Sequence, residues 1–400
     1  MNPSREAAQC SPLQVIVTTL LIWCSGCAPE RSTFRDGLTS ERATVTSFVE
    51  LTAEVDAIRE DASIPGLGAG MVQGGEVVWV VGLGSGDVLH SSPVQLFTPF
   101  LTASVSKTVV ALVAAISAAE GRVDLDQPIH ELMGDGYVHP SGASYTLRQL
   151  LTHTAGARDD WDTLADGYVV GDAEQPLSDW VSDYFEPHGA LYDPMDNFVA
   201  PGPGVERVYS NAGVALAAAV VQEATGIPFD DLCDQTLFEP LGLTHTGWHL
   251  ADFEVEEVAL PHLRTSGGPL PIPHYGVPDW PDGQLRSSAA DFAVILAAIS
   301  AAQDGSNPST IPLEAVELLF EVPFPELDDR QALAWSRRRR GGRARVWSHG
   351  GSEMGSAAEV LIDPRTGDGV VVFANTDMDV ITREALRAIQ SLALSALSEG

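Results

Sequence analysis

The sequence predicts an α/β protein with an additional all-α part, in which an antiparallel β-sheet is flanked by helices on both faces and a helical domain is inserted into it. Two observations lead to this prediction. Pairs of strand-like runs joined by short turn signals occur near both ends of the 400-residue chain. The middle instead alternates short helical segments with loops rich in proline and glycine. A sheet assembled from the two ends of the chain leaves the middle as an insertion.

The first elements of the predicted sheet are a helix and a hairpin. Within 40–60, apolar residues fall at helical spacing, and Pro65 and Gly66 end this helix. The runs 66–72 and 76–82 are strand-like and are separated by three turn-forming residues, which is typical of a hairpin. The chain is therefore expected to enter the sheet with two adjacent antiparallel strands.

The next segment, 104–120, is apolar on nearly all faces and predicts a buried central helix. Thr102 is a suitable N-cap for this helix, and Gly121 is a suitable end. Lys107, the only lysine in the chain, lies in its first turn, three residues after Ser104. A lone lysine inside an apolar helix is unusual enough to need a chemical explanation.

The remainder of the chain divides into a helical middle and a second sheet segment. Helices are expected at 146–153, 178–186, 212–225 and 288–303. The acidic, aromatic-rich stretch 157–208 is expected to form a loop-rich insertion. Two strands at 357–363 and 369–374 form a second hairpin, and an amphipathic helix closes the chain. The predicted domains are a sheet domain made of 41–121 and 291–400 and a helical domain of 122–290.

The N-terminal end of the chain is typical of a targeting segment. Residues 13–23 form an apolar stretch of signal-peptide length, too short to span a membrane well. A Ser-Gly-Cys run ending at Cys27 is similar to a bacterial lipoprotein box, although Cys24 stands where leucine is usual. The alternative is an ordinary signal peptide cut nearby. We therefore expect a signal peptide at 1–27, a linker at 28–40, export to the periplasm or cell envelope, and membrane anchoring through a lipidated cysteine.

Charge and cysteine usage narrow the functional classes. The net charge is −33, so nucleic acid, which requires a basic face, is not an expected partner. Three of the four cysteines lie in the first 27 residues, and Cys233, in a helix-like run, is expected to be buried and structural. His245 and His249 are four residues apart, but no glutamate follows His245 as it does in zinc proteases. Neither a metal nor another cofactor is expected.

Ser104 and Lys107 have the spacing of a nucleophile and its base in a large class of serine hydrolases. Arginine keeps its proton in proteins, whereas a buried or crowded lysine can lose it and act as a base. At a helix start, unpaired amides and the helix dipole favour negative charge near Ser104. The alternative is an ordinary helix lysine that follows a serine by chance. An acyl-transfer site also needs a second proton carrier and donors for an oxyanion.

Tyr209 is a candidate for the second proton carrier. It lies two residues before Asn211 after a loop rich in proline and glycine, so the two side chains could project together from an extended segment. A tyrosine near a cation can act as a base or an acid. The alternative is a core tyrosine beside a turn asparagine.

The third candidate stretch ends a strand-like run with His349, Gly350, Gly351 and Ser352. Two glycines allow a ligand to approach the backbone closely. The amide of Ser352 at this strand edge could donate to an oxyanion. The alternative for His349 is a structural histidine at the edge of the sheet.

Together these stretches resemble the serine β-lactamase and penicillin-binding-protein-like family, in the branch with a tyrosine-centred second motif. The resemblance covers roughly 44–395 and includes Leu-Leu-Thr-His-Thr-Ala-Gly at 150–156. It implies a β-lactamase/transpeptidase-like fold. It also implies that Ser104 is the acylated nucleophile, that Lys107 accepts its proton or tunes the tyrosine, and that Tyr209 is the general base and acid.

The resemblance further implies how a substrate would be held. Asn211 would contact the substrate amide, and the amides of Ser104 and Ser352 would form the oxyanion hole. His349 stands where class C β-lactamases carry the lysine of a Lys-Thr-Gly motif, and it is expected to bind a substrate carboxylate only when protonated. His153, within the family phrase, is expected to be structural.

The expected activity is that of an exported serine hydrolase that acts through an acyl-enzyme on carboxyl esters, D-amino-acid peptides or β-lactams. Histidine in place of lysine favours an esterase or peptidase over a β-lactamase. The expected partner is a small-molecule or peptidoglycan-like substrate, in a pocket lined by 157–208. The competing hypothesis is a penicillin-binding sensor or envelope scaffold that is acylated without turnover.

Overall fold

The computed structural model describes residues 47–304, 310–340 and 344–399. The expected signal peptide, lipoprotein box and linker lie outside these residues. The strands, numbered along the chain, are β1 (Gly66–Gln73), β2 (Glu76–Asp87), β3 (Ser92–Pro93), β4 (Phe100–Leu101), β5 (Val169–Val170), β6 (Thr246–Gly247), β7 (His262–Thr265), β8 (Gly268–Pro271), β9 (Tyr275–Gly276), β10 (Arg286–Ser287), β11 (Ser336–Arg340), β12 (Ala344–Glu353), β13 (Ser356–Asp363) and β14 (Asp368–Ala374).

The helices are numbered in the same way. They are α1 (Phe48–Asp61), α2 (Ser106–Ala119), α3 (His130–Met133), α4 (Leu147–Leu151), α5 (Trp161–Asp166), α6 (Leu177–Phe185), α7 (Asn211–Thr225), α8 (Phe229–Cys233), α9 (Glu239–Leu241), α10 (Ala289–Asp304), α11 (Leu313–Phe320) and α12 (Val380–Glu399). Short 3₁₀ turns occur at Ala103–Val105, Leu250–Asp252, Val255–Glu257 and Trp280–Asp282, and a π-helical turn occurs at Asp234–Phe238.

Seven strands form the main sheet, in the order β11-β12-β13-β14-β1-β2-β3, and every neighbouring pair is antiparallel. The two predicted hairpins are present as β1–β2 and β13–β14. The N-terminal and C-terminal strands meet where β1 pairs with β14. The prediction of one sheet built from both ends of the chain is therefore confirmed.

The alternation of large and small residues in β1 decides which helices cover each face of the sheet. Leu67, Ala69 and Met71 are fully buried beneath α1 and α12 on one face. On the other face, a Cβ added to Gly70 would lie 3.2 Å from Cβ of Ala293 in α10. Glycine therefore lets α10 approach the strand closely. Helices flank both faces, as predicted.

The helical middle of the chain shares its core with the sheet. One continuous cluster of buried side chains includes most of α2 and α7, the inner face of α10 and residues of β13 and β14. The stretch 157–208 contains α5, α6 and β5, and it buries Trp180, Tyr184 and Phe185. Within the described ranges no single helix is long and apolar enough to cross a membrane. The bent pair Asn211–Thr225 with Phe229–Leu241 passes that test only when taken together.

The start of the central helix differs from its prediction. α2 begins at Ser106, and the 3₁₀ turn Ala103–Val105 precedes it. The side chain of Thr102 does not cap this turn. Its hydroxyl donates to the carbonyl of Leu285 at 2.9 Å. The N-cap prediction was wrong because a buried carbonyl from a distant loop takes the hydroxyl.

The end of β12 is fixed against the turn that carries Ser104. A Cβ added to Gly351 would lie 2.4 Å from the carbonyl oxygen of Thr102 and 3.1 Å from Cβ of Ala103. Distances this short exclude any side chain at position 351. The second glycine of the His-Gly-Gly run is thus required for backbone packing, and this packing brings the third candidate stretch to the first.

Candidate active site

Ser104 is the partly exposed residue of an otherwise buried turn. Its neighbours Ala103 and Val105 are 1% and 0% exposed. Ala103 has a φ of +49°, in the left-handed region that an L-residue seldom adopts. The Ser106 hydroxyl donates to the carbonyl of Ala103 at 2.6 Å. Backbone strain of this kind persists only where the surroundings hold it, and it is concentrated at functional sites.

Lys107 lies beneath this turn and is 0% exposed. Its Nζ donates to Ser104 Oγ at 3.1 Å and to the carbonyl oxygen of Asp282 at 2.5 Å. The carboxylate of Asp282 is 3.7 Å away. The same Nζ lies 5.2 Å from the centre of the Tyr209 ring. The structure therefore brings together the three residues that the sequence assigned to catalysis.

The charge state of Lys107 follows from its neighbours. Burial disfavours the ammonium form, but the interactions of Lys107 with Tyr209 and Asp282 outweigh burial, so the pKa of Lys107 is raised. Lys107 is therefore an ammonium at neutral pH. Of the two roles that the resemblance implies for Lys107, tuning its neighbours agrees with this charge state, and both roles stay predictions.

Tyr209 and Asn211 do not share an extended loop, contrary to the prediction. Ser210 is the N-cap of α7, and Asn211 is the first residue of that helix. Tyr209 precedes the cap and is 38% exposed. Its ring centre lies 4.3 Å from that of His153 and 6.5 Å from that of His349. The helix start, rather than strand alternation, sets the directions of Tyr209 and Asn211.

A buried carboxylate that the sequence analysis missed fixes the start of α7. Asp159 accepts hydrogen bonds from the Ser210 hydroxyl at 2.9 Å and from the amides of Asn211 at 3.0 Å and Ala212 at 3.1 Å. Ser210 Oγ in turn accepts from the amide of Gly213. No sequence pattern links Asp159 to a helix more than fifty residues later, so this contact could be found only in the structure.

His349 reaches the site but is uncharged there. Its Nδ1 is 2.9 Å from the carbonyl oxygen of Gly350. Burial, reinforced by the nearby Lys107, lowers the pKa of His349 to about 3. His349 was expected to bind a substrate carboxylate only when protonated, and at this pKa the ring carries no charge near neutral pH. The carboxylate contact stays a prediction.

Gly350, Gly351 and Ser352 continue β12 past the nucleophile turn. Ser352 pairs with Ala357 in β13 and is exposed. Only Gly351 has a role that the packing explains directly. The oxyanion role of the Ser352 amide stays a prediction.

Two acidic side chains, Glu353 and Asp282, lie near Lys107. Glu353, at the end of β12, accepts hydrogen bonds through Oε1 from the Tyr168 hydroxyl at 2.7 Å and from the amide of Met354 at 3.3 Å. Burial raises the pKa of Glu353 and that of Asp282, although Lys107 opposes the shift of both. Tyr168 connects the stretch 157–208 to Glu353. The sequence analysis singled out none of Glu353, Asp282 and Tyr168.

Other candidate features are plainly structural. Cys233 is completely buried, and burial raises the pKa of its thiol. His249 approaches Asp230 at 3.4 Å. No group of three or more histidine, cysteine, aspartate or glutamate side chains among the described residues has the arrangement of a metal site.

The chain matches a family model described as Beta-lactamase over residues 51–394. It is 26% identical over 234 residues to a beta-lactamase from Pseudomonas fluorescens. The aligned region covers 56% of this chain and 58% of that protein. It is 24% identical over 353 residues to an unguisins hydrolase from Aspergillus violaceofuscus. The aligned region covers 78% of this chain and 58% of that protein. The chain thus matches less than two thirds of the length of either relative.

Solved structures share the fold. EstCE1, described as a hydrolase with promiscuous acyltransferase activity, superimposes with a TM-score of 0.70 at 18% identity over 86% of this chain and 98% of that one. A D-amino acid amidase from Ochrobactrum anthropi gives a TM-score of 0.68 at 19% identity over 87% and 99%. The predicted β-lactamase/transpeptidase-like fold is confirmed. The chain belongs to the beta-lactamase family.

Proposed function

We propose that the protein hydrolyses carboxyl esters or amides through an acyl-enzyme formed on Ser104. The observation that carries the proposal is the contact of the buried Lys107 ammonium with Ser104 Oγ at 3.1 Å, beneath the ring of Tyr209. A serine hydroxyl is a weak nucleophile, and an adjacent base and a fixed positive charge are the means by which proteins activate it.

The proton movements follow from the charge of Lys107. Because Lys107 keeps its proton, Tyr209 is the group that takes the proton from Ser104 as Oγ attacks the substrate carbonyl. The tetrahedral oxyanion is held by the amides of Ser104 and Ser352, and it collapses when Tyr209 returns the proton to the leaving alcohol or amine. Water then attacks the acyl-enzyme with Tyr209 again as base, which releases the acid and restores Ser104.

The uncharged His349 supports esters and amides over substrates that need a carboxylate clamp. Class C β-lactamases carry a lysine at this point, whereas His349 offers a neutral ring. The fold shared with a promiscuous hydrolase and a D-amino acid amidase fits this preference. Asn211, at the start of α7, is proposed to contact the substrate amide. D-amino-acid peptides, including peptidoglycan-like ones, are second in order, and β-lactams are third.

Steady-state turnover tests the proposal. Wild type, Ser104→Ala and the exposed control Ser178→Ala would be assayed with p-nitrophenyl acetate, a D-amino acid p-nitroanilide and a chromogenic cephalosporin. We expect turnover of the ester in wild type and in the control, and its loss in Ser104→Ala. Ester turnover that survives Ser104→Ala would overturn the assignment. A covalent adduct without turnover of any of the three would favour the penicillin-binding sensor.

We also propose export with anchoring through lipidated Cys27, which rests on the sequence of residues 1–27 alone. Expression of wild type and Cys27→Ser in a bacterial host, with radiolabelled palmitate and membrane fractionation, tests the proposal. Label and membrane association are expected only in wild type. An unlabelled wild-type protein released in soluble form outside the cytoplasm would support an ordinary signal peptide instead.

A further inference from the structure

His153 is a buried titratable residue that the proposed reaction does not use. It follows α4 in the turn that ends this helix, and it is 3% exposed. Its φ is +60°, in the left-handed region where glycine or asparagine is usual after a helix. A histidine at such a position is under backbone strain. The strain indicates that the surroundings hold this side chain in place.

Three contacts join His153 to three consecutive residues around the proposed base. Its carbonyl accepts a hydrogen bond from the amide of Val208 at 2.9 Å. Its Nδ1 accepts one from the amide of Ser210 at 3.3 Å. Its ring lies against the ring of Tyr209, with centres 4.3 Å apart and planes at 36°. The residue before Tyr209, Tyr209 itself and the residue after it are therefore all held by one side chain and its own backbone.

The hydrogen bonding of His153 also fixes its tautomer. Since Nδ1 is an acceptor, the proton of the neutral ring is on Nε2. This Nε2 is buried and has no hydrogen-bond partner among the described residues. Burial, with the charges of Arg207 and Lys107, lowers the pKa of His153 well below its ordinary value. The ring is therefore a flat, neutral surface beneath Tyr209.

Packing alone does not explain a histidine here. A phenylalanine ring would offer the same surface without a buried, unpartnered N–H, which is destabilising. An asparagine would suit the left-handed backbone and could accept from Ser210, but it has no ring. Histidine combines a planar ring with an acceptor at the distance that the amide of Ser210 needs.

We propose that His153 is a positioning residue that sets the orientation of the Tyr209 ring for proton transfer with Ser104. The inference rests on the proposed role of Tyr209. Unlike Lys107, which is completely buried, Tyr209 is 38% exposed. The centre of its ring lies closer to the ring centre of His153, at 4.3 Å, than to Lys107 Nζ, at 5.2 Å, or to the ring centre of His349, at 6.5 Å. Misplacement of a reacting group by about 1 Å lowers the rate roughly 100-fold. The rate that is kept by a fixed ring orientation therefore compensates for the backbone strain at His153.

Two variants separate positioning from folding. His153→Asn keeps an acceptor and suits the left-handed backbone but removes the ring, and His153→Gly relieves the strain while removing both. We expect both to fold, with kcat for the ester lowered about 10- to 100-fold and KM changed less than about threefold. The loss should be larger in the glycine variant. A folded variant of either kind with wild-type kcat would overturn the proposal.

Coupling to Tyr209 is tested in a Tyr209→Phe background. If His153 acts through the phenol, His153→Asn should lower kcat there by less than about twofold, because the group that it positions is absent. A full additional loss in this background would show an independent structural effect and would overturn the proposal.

The rate at which a fluorophosphonate labels Ser104 provides a second readout that does not need turnover. If wild type is labelled at Ser104 but hydrolyses no ester, the proposed function fails. The labelling rates of wild type, His153→Asn, Tyr209→Phe and the double variant still test the positioning role in that case.

Discussion

Lys107 and Tyr209 lie against each other beside Ser104, yet their surroundings differ. Lys107 is completely buried in the first turn of the central helix, and its Nζ is held by Ser104 and Asp282. Tyr209 is 38% exposed and precedes the first turn of α7. Its position depends on Asp159 and His153, which come from a different part of the chain. The central helix thus provides the positively charged Lys107, and contacts between distant parts of the chain orient Tyr209.

The largest expected effect comes from Lys107→Arg, which keeps the charge but not the shape. A planar guanidinium is larger than an ammonium, and no space surrounds a side chain that is 0% exposed. We expect kcat/KM for an ester to fall about 1,000-fold. The matched control is Arg122→Lys, three residues after the end of the same helix. Retention of activity within tenfold in a folded Lys107→Arg would show that Lys107 supplies only charge.

The next effect concerns the start of α7. Asp159→Asn keeps one oxygen acceptor and loses the other, so at least one of the three hydrogen bonds to the helix start is lost. We expect the free energy of unfolding to fall by about 1–2 kcal/mol and kcat by about tenfold. Denaturant unfolding and ester turnover measure the two changes. Asp162→Asn, in the exposed first turn of α5, is the control and should change neither. A stability loss with unchanged kcat would mean that the helix start does not control the orientation of Tyr209.

A smaller effect is expected at His349. Its pKa of about 3 keeps the ring neutral between pH 5 and 8, so its charge cannot contribute to the pH dependence of activity in this range. His349→Gln should therefore retain ester turnover within about threefold and leave the shape of the pH–rate profile unchanged. A limb in the wild-type profile between pH 5 and 8 that disappears in the variant would contradict the assigned charge state.

The smallest effect is a pH dependence of stability at His153. The pKa of His153 is lowered in the folded protein. Just below the ordinary histidine pKa of about 6.5, the unfolded chain therefore binds a proton at His153 that the folded protein does not bind. The contribution of His153 to stability is therefore present above that pH and is lost as the pH falls. Between pH 7.5 and 5.5, His153→Asn should therefore lose less stability than wild type does. Thermal unfolding at the two pH values measures this difference, and an equal deficit at both would contradict it.

Local patterns in the sequence predicted much of this molecule. The two hairpins, the central apolar helix and the spacing of Ser104 and Lys107 all depend on residues close together in the chain. The spacing of Tyr209 and Asn211 made them candidates, and the resemblance to a family implied their roles. The contacts missed were all between distant residues: Asp159 with α7, Asp282 with Lys107, and Thr102 with the carbonyl of Leu285.

Charge states were equally hard to predict from sequence. His349 was expected to titrate near neutral pH, because an isolated histidine does so. Burial beside Lys107 lowers its pKa, and the same ammonium opposes the burial shifts of Asp282 and Glu353. Such shifts depend on the distance between groups in the folded protein, which spacing along the chain does not determine.

The formation of an acyl-enzyme on Ser104 can be measured directly by mass spectrometry. Lys107 is the only lysine, and no arginine lies between Arg59 and it, so trypsin releases Ser104 within peptide 60–107. Rapid acid quenching of the reaction with p-nitrophenyl acetate should add one acetyl group to this peptide in wild type and none in Ser104→Ala. An acetyl group confined to another peptide, or turnover in wild type with no adduct on this peptide even when deacylation is rate-limiting, would contradict the account.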